Sequence, residues 1–218
     1  MKYISWATFY EGQTDGLYLD VLLPRILREL VAETGTDIVE VPDFSTVRLG
    51  TKSRTKEEFA REACEFRSAL DIIFVHADTG GRGVERNLAD RSSGFCEAFH
   101  QRCGAAPPHC VTITPRHETE AWLLADPTAI MAALGFNGTV IEARLPLTAR
   151  DAERLTDPKE TLRTAVHAMT GRKRKHLVEN LFPAIAQRQS LTSLRSTRSF
   201  SLFEGNLKRC LKAQNLIE

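Results

Sequence analysis

No apolar run in this sequence approaches the roughly 20 residues that a membrane-spanning helix needs, so we expect no membrane partner. The first residues, MKYISWATFYEG, hold neither a long apolar segment nor a small-residue cleavage site, which argues against an export signal. Cysteine is scarce, and no two cysteines form a C-x-x-C pair, which predicts reduced thiols in a cytoplasmic protein. The five cysteines are Cys64, Cys96, Cys103, Cys110 and Cys210.

Several catalytic motifs are also missing. The sequence has no Walker A lysine loop, no G-x-S-x-G nucleophile elbow, no H-E-x-x-H zinc segment, and no pairing of H-x-E with C-x-x-C. We therefore do not expect the chain to hydrolyse nucleoside triphosphates by itself.

What is present is the composition of an ordinary globular protein. The 218 residues are 42% hydrophobic and 26% charged, which suits one domain, or one domain with an extension. The charge is unevenly distributed: through Asp157 there are 17 Lys+Arg against 24 Asp+Glu, and from Pro158 onward 12 against 4. An acidic first part and a basic last part predict a polyanionic partner, or a contact between the two parts or between subunits.

The hydrophobic pattern predicts strands that alternate with helices. Alternation of this kind indicates a parallel sheet with right-handed crossovers. After an irregular stretch at 136–156, the pattern predicts only helices. The predicted strands are 2–10, 36–41, 70–77 and 109–115, with a polar loop at 42–54 and helices near 15–33, 55–69, 87–103 and 127–135. Predicted helix starts are the N-cap Thr14, the capping box Thr55–Glu58, and the pairs Asp126–Pro127 and Asp157–Pro158.

Acidic residues follow three of the predicted strands. Glu11 follows the first strand, Asp78 the third, and Glu118 and Glu120 the fourth. Since the carboxyl ends of parallel strands lie at one edge of a sheet, these acids should converge there. Clustered carboxylates repel one another unless a cation lies among them, and oxygen ligands favour Mg²⁺ or Mn²⁺. The alternative is that each acid is a helix cap or a solvated loop charge.

Five segments together resemble a known family: EGQTDGLYLDVLLPRIL, DIIFVHAD, TPRHETEAWLLADP, DPKETL and SFSLFEGNLKRCL. They are similar to the Toprim-like family called domain of unknown function 4276, related to nucleases of the overcoming-lysogenisation-defect type. The resemblance covers nearly the whole chain, and EAWLLAD is its most specific segment. It implies an α/β fold: a Toprim-like parallel-sheet core flanked by helices at 1–135, and a mostly helical, basic C-terminal extension at 136–218.

The resemblance also implies roles for the acids. Glu11 would be the catalytic acid or a base beside the metal, and Asp78 would be a metal ligand. Toprim domains usually carry an Asp-x-Asp pair where this chain has His76-Ala77-Asp78. His76 is either a metal ligand or a core histidine, and Glu118 or Glu120 would supply the missing acid.

Basic residues indicate a phosphate-binding surface. The densest run is Arg172, Lys173, Arg174 and Lys175, and we place Arg82, in a Gly-rich loop, and Arg116 in the same group. The alternative is a solvated helix face. Lys159 in the DPKE segment either reaches a phosphate at the edge of the site, as a catalytic residue, or pairs with an acid.

These features predict a cytoplasmic, Mg²⁺- or Mn²⁺-dependent Toprim-like nuclease that acts on DNA or RNA. The resemblance implies a partner ATPase of the ATP-binding-cassette-like kind, in a phage-defence pair. One alternative is a catalytically weak Toprim-fold binding subunit of such an ATPase. Another is hydrolysis of a small phosphate ester at the same metal site.

Overall fold

The structure of the chain is a computed structural model that describes residues 2–34, 39–43, 45, 47–50, 55–79, 92–104, 109–171 and 178–218. Of residues 34 and 47–50 it describes the backbone only. All structural statements below concern these ranges.

Two short parallel sheets form the centre of the fold. The larger sheet has the strand order β4-β2-β5-β6, and the smaller pairs β1 with β3. This arrangement confirms a mixed α/β protein with parallel sheets flanked by helices. The strands are β1 Lys2–Tyr3, β2 Trp6–Tyr10, β3 Val39–Glu40, β4 Val47–Gly50, β5 Ile72–His76 and β6 Cys110–Ile113.

Two strand predictions need correction. The predicted strand 2–10 is interrupted after Tyr3, because the Asp71 carboxylate accepts hydrogen bonds from both the Ser5 N–H (2.8 Å) and the Ser5 hydroxyl (2.9 Å). The predicted loop 42–54 contains the strand β4, which pairs with β2 at the edge of the larger sheet. The hydrophobic pattern does not reveal β4 because the segment is polar, and an edge strand needs no continuous apolar run.

Helices cover both faces of the larger sheet. Over the described ranges, the α-helices are α1 Gln13–Thr34, α2 Lys56–Phe66, α3 Ser92–Cys103, α4 Glu120–Leu123, α5 Pro127–Leu134, α6 Ala149–Ala152, α7 Pro158–Thr170, α8 Phe182–Arg188, α9 Leu191–Arg195 and α10 Arg198–Ala213. No described helix is both long enough and apolar enough to span a membrane.

The predicted helix starts are mostly confirmed. Thr55 and Glu58 form the reciprocal capping box of α2, and the side chains of Asp126 and Asp157 accept backbone N–H groups at the starts of α5 and α7. The prediction for Thr14 is wrong, because α1 already begins at Gln13.

Alternating side chains divide the core into two layers. Ile72 and Phe74 of β5 pack on the side of α1 and the C-terminal helices, whereas Ile73 and Val75 pack with α2 and α3. The first layer joins the sheet to the last helix, since the fully buried Trp122 contacts both Phe200 and Phe203. Residues from both predicted parts, 1–135 and 136–218, thus share one hydrophobic cluster, and the division itself stays a prediction.

The prediction of reduced cysteines is wrong for four of the five. Cys64 of α2 is bonded to Cys103 of α3, and Cys96 of α3 is bonded to Cys110 of β6, which leaves Cys210 as the free thiol. The fold places α2 and α3 side by side. The bonded cysteines are 39 and 14 residues apart in sequence, and these separations do not reveal that proximity. The cysteines therefore no longer support a cytoplasmic location, which stays a prediction.

We expect protein unfolded without reductant to show one reactive thiol per chain, and five after reduction, in a colorimetric thiol titration. Loss of a disulfide also frees the unfolded chain, so reduction should lower the free energy of unfolding by about 2–4 kcal/mol for each bridge. The Cys210→Ser variant is the control and should show no thiol before reduction. Five thiols without reductant would contradict this pairing.

Candidate metal centre

The ends of three parallel strands bring the candidate residues to one edge of the sheet. Pairing of Phe9 with Val75, and of His76 with Ile113, aligns the carboxyl ends of β2, β5 and β6. Glu11 directly follows β2, Asp78 lies two residues after the end of β5, and the loop that follows β6 leads to Glu118.

Strand periodicity directs His76 toward α1. His76 is two residues beyond Phe74, so its side chain lies on the face of the sheet that α1 covers, and it is fully buried. Asp15 lies in the first turn of α1, and its Oδ2 accepts the Gly12 N–H at 2.9 Å. An acid at this position satisfies an otherwise unpaired donor at the helix start, which fixes the carboxylate near the sheet edge.

Thr119 connects the three strand ends by hydrogen bonds. Its hydroxyl donates to Asp15 Oδ1 (2.8 Å) and lies 3.0 Å from His76 Nε2, while its N–H donates to Asp78 Oδ1 (3.1 Å). Because the hydroxyl proton is directed to Asp15, we assign His76 Nε2 as the donor of the 3.0 Å hydrogen bond. Thr119 is completely buried, so its hydrogen bonds to Asp15 and His76 are shielded from water, whereas the Asp78 carboxylate is partly exposed.

Asp15, His76 and Asp78 form a group that could hold a metal ion. One ligand atom from each lies within 4.8 Å of the others. His76 Nδ1 is 3.6 Å from Asp15 Oδ2 and has no hydrogen-bond partner, whereas His76 Nε2 is 3.3 Å from Asp78 Oδ1. A buried imidazole that donates one N–H to an oxygen and leaves its other nitrogen unpaired has the arrangement of a metal-ligating histidine.

The same group can also neutralise itself by protonation. Burial acts to lower the pKa of His76, but the contact with Asp78 and the charges of the surrounding carboxylates outweigh it, so the pKa is raised. A protonated His76 would lie between Asp15 and Asp78 with a charge of the same sign as a bound cation.

Glu11 supports Asp78 through the backbone. Its Oε2 accepts the Asp78 N–H at 3.0 Å, across 67 residues of sequence. This hydrogen bond links the end of β2 to the end of β5 and places a further carboxylate beside the group.

A second acidic group lies around Lys159. Its Nζ is 3.6 Å from Glu120 Oε1, and, against the larger effect of burial, its charge acts to lower the pKa of Glu118, whose Oε2 is buried without a hydrogen-bond partner in the described part of the chain. α4 begins at Glu120, so Glu118 belongs to the preceding loop, and the charges of both acids act on Lys159. Asp78 also raises the pKa of each acid, although burial is the larger cause, so this group and the metal group are electrostatically connected.

Glu120 is the member of the pair that changes its charge near neutral pH. Burial raises the pKa of Glu120 to about 7, and the charge of Lys159 offsets only part of that rise. Burial acts to lower the pKa of Lys159, yet Glu120 and Glu118 raise it overall, so the lysine stays protonated. The difference follows from exposure, since the Lys159 side chain is 42% exposed and that of Glu120 only 9%.

The loop that carries Glu118 has a constrained backbone. His117 has a φ of 67°, in the left-handed region that non-glycine residues rarely adopt. Its N–H donates to Thr79 Oγ1 at 2.7 Å, and Thr79 in turn contacts the Pro115 carbonyl at 3.3 Å. Thr79 follows Asp78, so these hydrogen bonds join the loop after β5 to the loop after β6 beside the metal-binding group.

Of the predicted phosphate-binding residues, Arg116 is the one that the structure describes. Arg116 is exposed and lines a separate cavity, described below. Arg82 and the run Arg172, Lys173, Arg174 and Lys175 lie outside the described residues.

Sequence reasoning missed two residues of the site, Asp15 and Thr119. Asp15 has a detectable signal, because it is an acid in the first turn of the helix that follows a strand-end glutamate. Thr119 has none, since a threonine between two glutamates carries no indication that its hydroxyl and N–H bridge three elements.

The comparisons with known proteins give no match: no family model matches the chain, and no significant match was found among curated proteins or solved structures. The family resemblance therefore stays a prediction, and the functional argument rests on the residues themselves.

We expect Glu120→Gln to make stability less dependent on pH. The folded-state pKa of Glu120 lies above its ordinary value of 4.5, so the wild-type protein loses stability as pH rises from that value through about 7. Urea unfolding at pH 5 and pH 8 should therefore show that Glu120→Gln gains roughly 1–3 kcal/mol relative to wild type at the higher pH. Glu160→Gln, an exposed neighbour, is the control, and an equal pH dependence in both variants would contradict the assignment.

Proposed function

We propose that this chain is a Mg²⁺- or Mn²⁺-dependent phosphodiesterase of Toprim-like type that cleaves nucleic acid. One observation carries the proposal: the buried Asp15 and His76 and the partly buried Asp78 present ligand atoms within 4.8 Å of one another at the carboxyl edge of a parallel sheet. This edge is where open α/β proteins place their active sites.

The donor set fits a divalent cation. Two carboxylates and an imidazole with an unpaired buried Nδ1 are present, and the acids Glu11, Glu118 and Glu120 surround them. Carboxylate oxygens suit Mg²⁺ and Mn²⁺, and the imidazole favours Mn²⁺ of the two. Asp15, His76 and Asp78 would hold the ion, with Glu11 beside them.

A divalent ion at this position would act as a Lewis acid toward a phosphodiester and would activate water. The chain's own residues supply the other functions. Lys159 keeps its positive charge and provides a contact for an anionic phosphate oxygen at the edge of the site. Glu120, with a pKa of about 7, can hold or release a proton at neutral pH, which suits proton transfer to a leaving oxygen.

A specific observation favours a second function, a binding subunit of a partner ATPase. His76 stands where Toprim domains usually carry an aspartate, and its raised pKa allows an imidazolium to take the place of a cation between Asp15 and Asp78. In that case the acidic group would be a structural ionic network, and the sheet edge would have no need of metal.

The nuclease proposal predicts Mn²⁺-dependent cleavage of labelled DNA or RNA that requires the acidic group. Asp78→Asn and Glu11→Gln keep the side-chain shape but remove charge. Asp78→Asn should lower the cleavage rate by at least about 100-fold, which exceeds the usual effect of changing a residue that only hydrogen-bonds a metal ligand. The control is Glu97→Gln, an exposed acid on α3, which should leave the rate unchanged. Equal rates in Asp78→Asn and wild type, or no cleavage with either ion, would contradict the proposal.

Thermal unfolding with Mn²⁺ separates the two functions. If the group binds metal, Mn²⁺ at about 100 times its dissociation constant should raise the wild-type Tm by roughly 5–10 °C. If protonated His76 replaces the cation, wild type should not respond, whereas His76→Asp should gain a response because it restores a carboxylate. A response in the variant alone would support the binding subunit.

A further inference from the structure

A cationic cavity lies in the C-terminal part of the fold, apart from the acidic group. Its volume is about 350 Å³, and its lining includes five arginines and one acid. These residues are Arg116, Arg150, Glu153, Arg154, Arg195 and Arg198. They belong to the loop after β6, to α6 and the turn that follows it, to α9, and to the start of α10.

The acid of this cavity is already satisfied by backbone groups. Glu153 is buried, its Oε2 accepts the Arg198 N–H (2.8 Å), and its Oε1 accepts the Ser199 N–H (2.6 Å). These donors are at the N-terminus of the 16-residue helix α10, where the helix dipole stabilises a negative charge. Glu153 therefore caps the N-terminus of α10 and, among the described residues, forms no ion pair with the arginines around it.

One of the five arginines is also committed to other partners. The Arg195 guanidinium contacts Glu204 (2.6 Å) and Glu29 (2.6 Å), which ties α9 to α10 and α1. The other four, Arg116, Arg150, Arg154 and Arg198, are exposed and form no ion pair within the described part of the chain.

Four like charges around one cavity repel one another and are stabilised by an anion that binds between them. Guanidinium groups present a planar set of donors that matches the oxygens of phosphates and carboxylates, and this geometry favours such an oxyanion over a halide. The four arginines come from three separate elements, a spread that fits several phosphates in a row better than one compact anion.

We propose that this cavity binds backbone phosphates of a polynucleotide, next to the position where the polynucleotide is cleaved. The inference rests on the proposed nuclease function and names the contact that holds its substrate. Phosphate contacts position a nucleic acid without reading its sequence, so we expect binding that is insensitive to sequence and sensitive to salt.

One loop connects a residue of the cavity lining to the acidic group. Arg116 lines the cavity, and Glu118, two residues further along the same loop, belongs to the acidic group at Lys159. Two residues span at most about 7 Å between Cα atoms. A polynucleotide bound through Arg116 would therefore have one of its phosphate contacts close to the carboxylates of the acidic group.

The test is binding of a fluorescein-labelled 20-base-pair DNA duplex to the full chain, followed by anisotropy in EDTA across a series of salt concentrations. The pocket variant is Arg150→Ala with Arg154→Ala. It should bind at least about 10-fold more weakly, and the slope of log Kd against log salt should be shallower by about 1.8, since each lost phosphate contact contributes about 0.9. The control, Arg61→Ala with Arg209→Ala, removes the same charge from exposed sites outside the cavity lining and should leave the slope unchanged.

Three results would overturn the inference. The first is equal binding by the pocket variant and the control. The second is competition by polyglutamate as strong as that by unlabelled duplex at equal charge, because charge alone would then explain binding. The third is competition by inorganic tripolyphosphate as strong as that by duplex at equal phosphate, which would indicate a small-anion site.

Binding in EDTA also separates this inference from the nuclease proposal. Duplex binding that depends on the pocket arginines, without Mn²⁺-dependent cleavage, would support the cavity and contradict the nuclease. Cleavage whose kcat/KM is unaffected by the pocket substitutions would support the nuclease and contradict the cavity.

Discussion

The hydrogen bonds of Thr119 are the constraint on which the candidate site depends. Its hydroxyl links Asp15 at the start of α1 to His76 at the end of β5, and its N–H holds the Asp78 carboxylate. The bonds of the hydroxyl to Asp15 and His76 are fully buried, so water does not compete for them and each would be costly to leave unmade. The segment after β6 is thereby held against the other two strand ends, and its position also sets those of Glu118 and Glu120.

The site concentrates negative charge and compensates it in three ways. Backbone N–H groups bind Glu11 and Asp15, the Lys159 ammonium stands beside Glu120, and His76 lies among the carboxylates. What distinguishes an enzyme from a binding subunit is whether a divalent ion completes this compensation or a proton on His76 does. The cationic cavity includes Arg116 of the same loop, so positive charge lies close in sequence to this acidic edge.

Sequence pattern predicted the parts of the fold that follow from local periodicity. The apolar run that became β5 and the cap residues Thr55, Asp126 and Asp157 are of this kind. The strand-end rule placed Glu11 and Asp78 at one edge, where the structure has them in contact. Strand β4, the two disulfides and the role of Thr119 were not predictable, since each depends on which elements become neighbours in three dimensions. The cationic cavity is similar, because its arginines come from distant segments, and only the folded chain shows which of them form no ion pair with the described residues.

The most direct test of the account is a crystal structure of the protein soaked in Mn²⁺, with anomalous diffraction measured at the manganese edge. The account predicts an anomalous peak among Asp15, His76 and Asp78, with His76 bound through the nitrogen that has no hydrogen-bond partner. The absence of a peak at saturating Mn²⁺, with the Thr119 hydrogen bonds intact and His76 still between the two aspartates, would contradict it.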